Sequence, residues 1–92
     1  MTSASEKQLR INSQEVAWRE IGDEVVVLHM STATYLSVNG TGRTLWNRLA
    51  DGATRTELID ALVDTYEIDA DRAGRDVDSF VESLAASGLI GE

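Results

Sequence analysis

The chain has 92 residues, no cysteine and a formal net charge of −8, from 16 acidic and 8 basic residues. This length predicts one small domain, and the lack of cysteine excludes disulfides and thiolate metal sites. No apolar run approaches the ~20 residues that cross a bilayer. Met1–Arg10 lacks the apolar centre of a signal peptide, so the expected location is cytoplasmic, without membrane contact. The acidic excess disfavours nucleic acid as a partner, because phosphate binding needs a basic face.

The N-terminal half predicts a tail and three strands. Met1–Asn12 is polar and aperiodic, so we interpret it as a flexible tail before a domain that spans 13–92. Val16–Ile21 alternates, as a half-buried strand does, and Val25–Met30 is typical of a central strand covered on both faces. Ala33–Val38 is the third predicted strand. Their short connections predict an antiparallel meander.

The C-terminal half predicts three helices. The first begins near Asn39 or Thr41 and ends at Gly52, a residue favoured just past a helix terminus. The second opens on a capping box at residues 54–57, and Asp69 caps the third. Three strands followed by three helices make an α+β domain. Its last two helices form a helix-turn-helix pair, and the sheet takes the place of the wing.

No pattern in the chain is typical of catalysis or of a metal site. The only imidazole, His29, lies in an apolar strand-like run, where a structural role is favoured. The glycine turn at residues 40–44 lacks the third glycine of a dinucleotide fingerprint and the lysine of a P-loop. We interpret it as a tight turn with Gly42 packed under a neighbour. We expect no catalytic residue, cofactor or metal ligand, and we expect Trp18 and Trp46 in the core.

Several motifs from Val16 onward carry a family resemblance. They are Tyr35-Leu36-Ser37-Val38-Asn39, Gly42, Leu45-Trp46, Asp51-Gly52, Val77, Phe80, Leu84 and Gly88-Leu89-Ile90. As a set they resemble the pyrroloquinoline quinone biosynthesis protein D family. The resemblance implies a fold like a winged helix-turn-helix and a role as recognition element for ribosomally made, modified peptides. Such proteins bind the leader of a precursor peptide as an added strand, in the cleft between the third strand and the third helix.

The resemblance places a peptide site on these two elements. It implies that a leader pairs with Ala33–Ser37, with Leu36 and Phe80 in the cleft. Other residues of the third helix form the floor and a charged rim. The candidate peptide-binding residues are Ala33, Thr34, Tyr35, Leu36, Ser37, Arg72, Arg75, Asp76, Val77, Phe80, Ser83 and Leu84. An edge strand offers unpaired backbone groups to a peptide, unless a loop or the tail covers that edge.

The leading hypothesis is a non-catalytic leader-binding protein of lasso-peptide biosynthesis. Its expected partners are a precursor leader, a separate leader peptidase and a cyclase. The alternative within the family is a chaperone that delivers a precursor to a radical SAM enzyme in pyrroloquinoline quinone biosynthesis. A winged-helix DNA-binding regulator is the alternative from another class. It is disfavoured because the third helix carries Arg72 and Arg75 among four acidic residues, which repel phosphates. A small hydrolase is disfavoured by the missing catalytic constellation.

Overall fold

The computed structural model describes residues 7–91, which form five strands and three helices. In chain order these are β1 (Arg10–Ile11), β2 (Val16–Ile21), β3 (Glu24–His29), β4 (Thr34–Val38), α1 (Gly40–Asp51), α2 (Arg55–Tyr66), α3 (Ala70–Ala86) and β5 (Ile90–Gly91). β2, β3 and β4 form one antiparallel sheet in that order, and β1 pairs with β5. The predicted α+β fold, a three-stranded sheet followed by three helices, is confirmed. No helix in this part of the chain is long and apolar enough to cross a membrane.

Local signals set the helix ends. The Glu57 N–H donates to Thr54 Oγ1 at 3.2 Å, and the Thr54 N–H donates to the Glu57 carboxylate at 2.9 Å, which confirms the predicted capping box. The Asp69 carboxylate accepts a first-turn N–H of α3 at 2.7 Å. Gly52 and Gly88 follow α1 and α3 with φ of +90° and +74°. Such backbone favours glycine, so these residues end the helices where the sequence predicts.

All three helices contribute to a core on one face of the three-stranded sheet. From the sheet come Val25 and Val27, both fully buried. From the helices come Leu45, Trp46, Leu49, Leu58, Leu62, Ala73, Val77 and Leu84. Burying one such large apolar side chain contributes about 1.5–3 kcal/mol. Trp46 is fully buried in this core, which confirms its prediction.

The opposite face of the sheet is open among the described residues, which corrects the prediction for β3. Val26 and Leu28 are only half-buried, so β3 is not covered on both faces. No helix or second sheet among residues 7–91 lies over this face.

Trp18, expected in the core, is 36% exposed and meets Trp46 edge-on, with ring centroids 5.6 Å apart. Its partial exposure follows from its position on β2, an edge strand with no neighbour on its outer side in the part of the chain that the structure describes.

The expected tail, Met1–Asn12, is too long. Leu9 and Ala53 exchange two backbone hydrogen bonds, of 2.8 and 2.9 Å. Ile11 is buried, and β1 pairs with β5 at the other end of the chain. Pairing between distant short segments leaves no periodic pattern in the sequence, so it was not predicted. Residues 1–6 lie outside the described residues, and a flexible tail stays a prediction for them.

Two helical glycines offer a matched test of packing. A Cβ at Gly42 would lie 2.6 Å from Val38 Cγ1 and 3.2 Å from Phe80 Cε1. We therefore expect Gly42→Ala to lower the free energy of unfolding by about 1–3 kcal/mol through overpacking. A Cβ at Gly74 would meet only flexible side-chain ends from α2, at 3.3 and 3.8 Å. Gly74→Ala should instead raise the free energy of unfolding by up to about 1 kcal/mol through helix propensity. Urea denaturation measures the free energy of unfolding of both variants. Equal stability of the two variants would contradict the close contact of Val38 and Phe80 with Gly42.

Candidate functional site

The candidate site lies along β4, an edge strand of the three-stranded sheet. Within the described residues no strand pairs with its outer side. β4 begins at Thr34, because Ala33 has a φ of +54° in the preceding turn. Left-handed backbone does not continue an extended ladder. The prediction that the strand starts at Ala33 is therefore wrong by one residue.

The register of the sheet shows which way the backbone groups of β3 point. The Met30 N–H donates to the Glu15 carbonyl at 2.8 Å, so these opposite residues form a hydrogen-bonded pair. Opposite residues in an antiparallel ladder alternate between hydrogen-bonded and non-hydrogen-bonded pairs. Leu28 and Val26 therefore also bond toward β2. The remaining backbone groups of β3, starting with those of Val27, point toward β4.

The same alternation fixes the orientation of β4. Thr34, Leu36 and Val38 lie opposite the β3 residues that point toward β4, so their N–H and C=O groups bond inward. The N–H and C=O groups of Tyr35 and Ser37 must then point away from the sheet. These two residues present an unpaired backbone row, which is a template for another strand.

α3 forms the second side of a groove beside β4, and a cavity marks each end. The cavity of about 340 Å³ at the start of β4 is lined by His29, Thr32, Thr34, Leu36, Ala86, Ser87 and Leu89. The cavity of about 330 Å³ between α1 and α3 is lined by Thr41, Leu45, Asp76, Ser79, Phe80 and Ser83. The Phe80 ring and Val38 both approach Gly42, so this second cavity lies where β4 ends. α3 therefore runs antiparallel to β4.

Three of the seven predicted helix residues line this groove. Asp76, Phe80 and Ser83 line the second cavity, at the spacing that puts residues on one helix face. Phe80 is half-buried, as a groove residue that also supports the core. Val77 and Leu84 are 0% and 4% exposed, so they belong to the core beneath the groove. They position α3 and offer little surface to a ligand.

The two predicted arginines lie on different sides of α3. Arg72 is exposed, one turn before Asp76 on the groove side. Arg75 lines a cavity between α2 and α3, away from β4. In that cavity Arg55 Nε donates to Asp78 Oδ1 at 2.7 Å, and this hydrogen bond holds the pKa of Asp78 below its usual value. The structure does not bring Arg75 together with the edge strand.

Other groove residues were not predicted. Ser79, Ala86 and Ser87 share the helical spacing of the predicted ones, and that periodicity would have found them. His29 is 9% exposed, with Nδ1 3.1 Å from Thr32 Oγ1. Its place in the first cavity depends on the sheet meeting the end of α3, which has no sequence signal. Among residues 7–91 no group of three or more His, Cys, Asp or Glu side chains is arranged to hold a metal ion.

An open strand edge beside an amphipathic helix is a geometry that can take a peptide as an additional strand. Residues 24–90 match the family model described as Coenzyme PQQ synthesis protein D (PqqD), and the chain belongs to this family. The predicted resemblance is therefore confirmed.

Two solved structures share the fold. One, of TbiB1 in complex with the TbiA(beta) leader peptide, is 33% identical, with a TM-score of 0.83 over 88% of this chain and 93% of that chain. The other, of lasso peptide synthetase B1 complexed with the leader peptide, is 24% identical, with a TM-score of 0.82 over 94% and 100%. At that identity the second likeness shows the fold alone. No functionally curated protein matches the chain.

Proposed function

We propose that this chain binds the leader of a ribosomally synthesised precursor peptide, as a strand added to β4, in lasso-peptide biosynthesis. The observation that carries the proposal is the unpaired edge at Tyr35 and Ser37, which lies beside α3. Membership of the PqqD family supports a peptide as the occupant. The likeness to TbiB1, which was solved with the TbiA(beta) leader peptide, supports a leader in particular. The fold shared with a lasso peptide synthetase B1 agrees with a lasso pathway.

The geometry divides the work of binding between β4 and α3. Backbone hydrogen bonds to Tyr35 and Ser37 hold the leader whatever its sequence. Alternate leader side chains then point to the helix side of the sheet, where Leu36 and Phe80 lie. Apolar anchors in such a groove contribute more free energy than charged pairs at its rim.

The protein acts as a non-catalytic adaptor. Bound leader raises the local concentration of the precursor at a separate leader peptidase, and a cyclase then closes the ring. A second candidate is delivery of a precursor to a radical SAM enzyme, which the description of the matching family favours. The two candidates differ in the partner enzyme and share the leader site.

Proline substitutions in β4 test the strand-addition mechanism. Tyr35→Pro and Ser37→Pro each remove one outward N–H and leave the bonds to β3 intact, so both variants should fold. Each should weaken leader binding at least about fivefold, since one hydrogen bond contributes about 1 kcal/mol net. Fluorescence anisotropy with the labelled leader of its precursor peptide measures the loss.

Two other prolines serve as controls. Glu20→Pro removes an outward N–H from β2, at the opposite edge, and should leave leader affinity unchanged. Leu36→Pro removes an inward N–H and should unfold the sheet, which circular dichroism detects. Undiminished leader binding by folded Tyr35→Pro and Ser37→Pro variants means that the peptide does not add to β4.

Truncations on two sides of α3 test the groove. Phe80→Ala should weaken leader binding by about 2 kcal/mol, because it removes an apolar anchor. Arg75→Ala should cost under ~1 kcal/mol, because an exposed charge that lies away from β4 contributes little. Thermal melts identify any loss of folding in Phe80→Ala before calorimetric titration. An equal or greater effect of Arg75→Ala would place the peptide on the α2 side of α3.

The adaptor role predicts a specific pattern of activity. The purified protein alone should leave the precursor uncleaved, and it should accelerate cleavage by the separate peptidase. Ser37→Pro should lose that acceleration, while the Glu20→Pro control keeps it. Mass spectrometry of the cleaved leader follows the reaction. Cleavage by this protein without a peptidase would show that it is an enzyme, and stimulation of a radical enzyme alone would favour the second candidate.

A further inference from the structure

Asp76 is a half-buried carboxylate at the groove whose charge is not compensated. It lines the second cavity, at the end of β4. Within residues 7–91 its carboxylate makes no hydrogen bond or ion pair, although Arg72 lies only one turn away. The Asp76 oxygens keep some contact with water. The carboxylate can therefore accept charge-assisted hydrogen bonds from a positively charged ligand group that enters the cavity.

The rest of the cavity suits a long cationic side chain. The half-buried Phe80 ring supplies apolar surface for the methylene stem of lysine or arginine. The Phe80 ring also attracts a cation that lies over its face. The hydroxyl groups of Ser79 and Ser83 can accept donors that Asp76 leaves unpaired. An acidic ligand side chain would find a like charge and no basic residue in the lining.

We propose that this cavity is a specificity subsite for a lysine or arginine side chain of the bound peptide, paired with Asp76. The inference rests on the proposed function, because the peptide reaches the cavity as a strand along β4. Val38, the last residue of β4, lies beside Gly42 and Phe80. A strand paired with Ser37 therefore continues directly to the cavity, and its next side chain on the helix side enters it.

A display library of random 20-residue peptides provides the probe. Peptides are selected on the intact protein, and those that lose binding to Ser37→Pro are kept as binders of the β4 edge. We expect one position of these peptides to be enriched in lysine or arginine. In a selected peptide, norleucine at that position should weaken binding about tenfold, and Asp76→Asn should do the same. The two changes together should weaken binding no further than either alone.

A matched control separates the subsite from general charge attraction. Glu82→Gln removes the same charge from an exposed position of α3 outside the groove lining, and it should leave affinity unchanged. Asp76→Lys should shift the enrichment from basic to acidic residues.

The outcomes distinguish the subsite from the proposed function. The subsite alone would be overturned if the peptides that bind the β4 edge have no position enriched in lysine or arginine. It would also be overturned if the norleucine change and Asp76→Asn together weaken binding by the product of their separate effects. Equal effects of Glu82→Gln and Asp76→Asn would also overturn it. If no selected peptide depends on Ser37, strand addition fails together with the subsite.

Discussion

The groove depends on the contact of Val38, Gly42 and Phe80. α1 begins two residues after β4 ends, so the start of the helix must pass between the edge strand and α3. The absence of a side chain at Gly42 lets Val38 and Phe80 approach the α1 backbone. Tyr66 fixes the same point from the other side, since its hydroxyl donates to the Gly40 carbonyl at 3.1 Å. Because both contacts hold α1, α3 stays beside β4 without covering its edge.

Much of the fold could be predicted because its signals are local. The Thr54 capping box, the Asp69 cap and the glycine at position 52 each involve only a few neighbouring residues. The β1–β5 pair could not be predicted, since it joins two short segments from opposite ends of the chain. Trp18 was misplaced for a related reason. Its alternation indicates a strand, but only the strand order shows that this strand has an open side.

The helix side of the candidate site could be predicted from the sequence, but the direction of the backbone groups in β4 could not. Helical spacing groups Asp76, Phe80 and Ser83 on one face, and the structure brings them to one cavity. The division between Arg72 and Arg75 also follows from helical geometry, but only once the position of α2 is known. The outward direction of Tyr35 and Ser37 requires the register of the whole sheet. A register shift of one residue would reverse it, and the sequence of β4 alone does not specify that register.

A winged helix-turn-helix shape commonly serves DNA binding, yet the charge of this chain opposes that use. The net charge is −8, and α3 carries acidic residues on several sides. Binding to phosphates would bring like charges together, and this repulsion acts at every contact with the duplex. The shape is therefore better suited to a ligand held by backbone pairing than to one held by neutralising phosphates.

Strand addition also requires a reason to prefer one edge of the sheet over the other. Both β2 and β4 are edge strands within the described residues. The β2 edge carries Glu20, whose carboxylate accepts a hydrogen bond from Arg43 at 2.7 Å, and charged edge residues discourage pairing. β4 carries no charged residue and lies beside α3. Two outward-facing residues provide few hydrogen bonds, each of about 1 kcal/mol net, and these bonds do not distinguish sequences. In the proposed strand addition, most of the affinity and the selectivity therefore come from the side chains of the groove that α3 and β4 form.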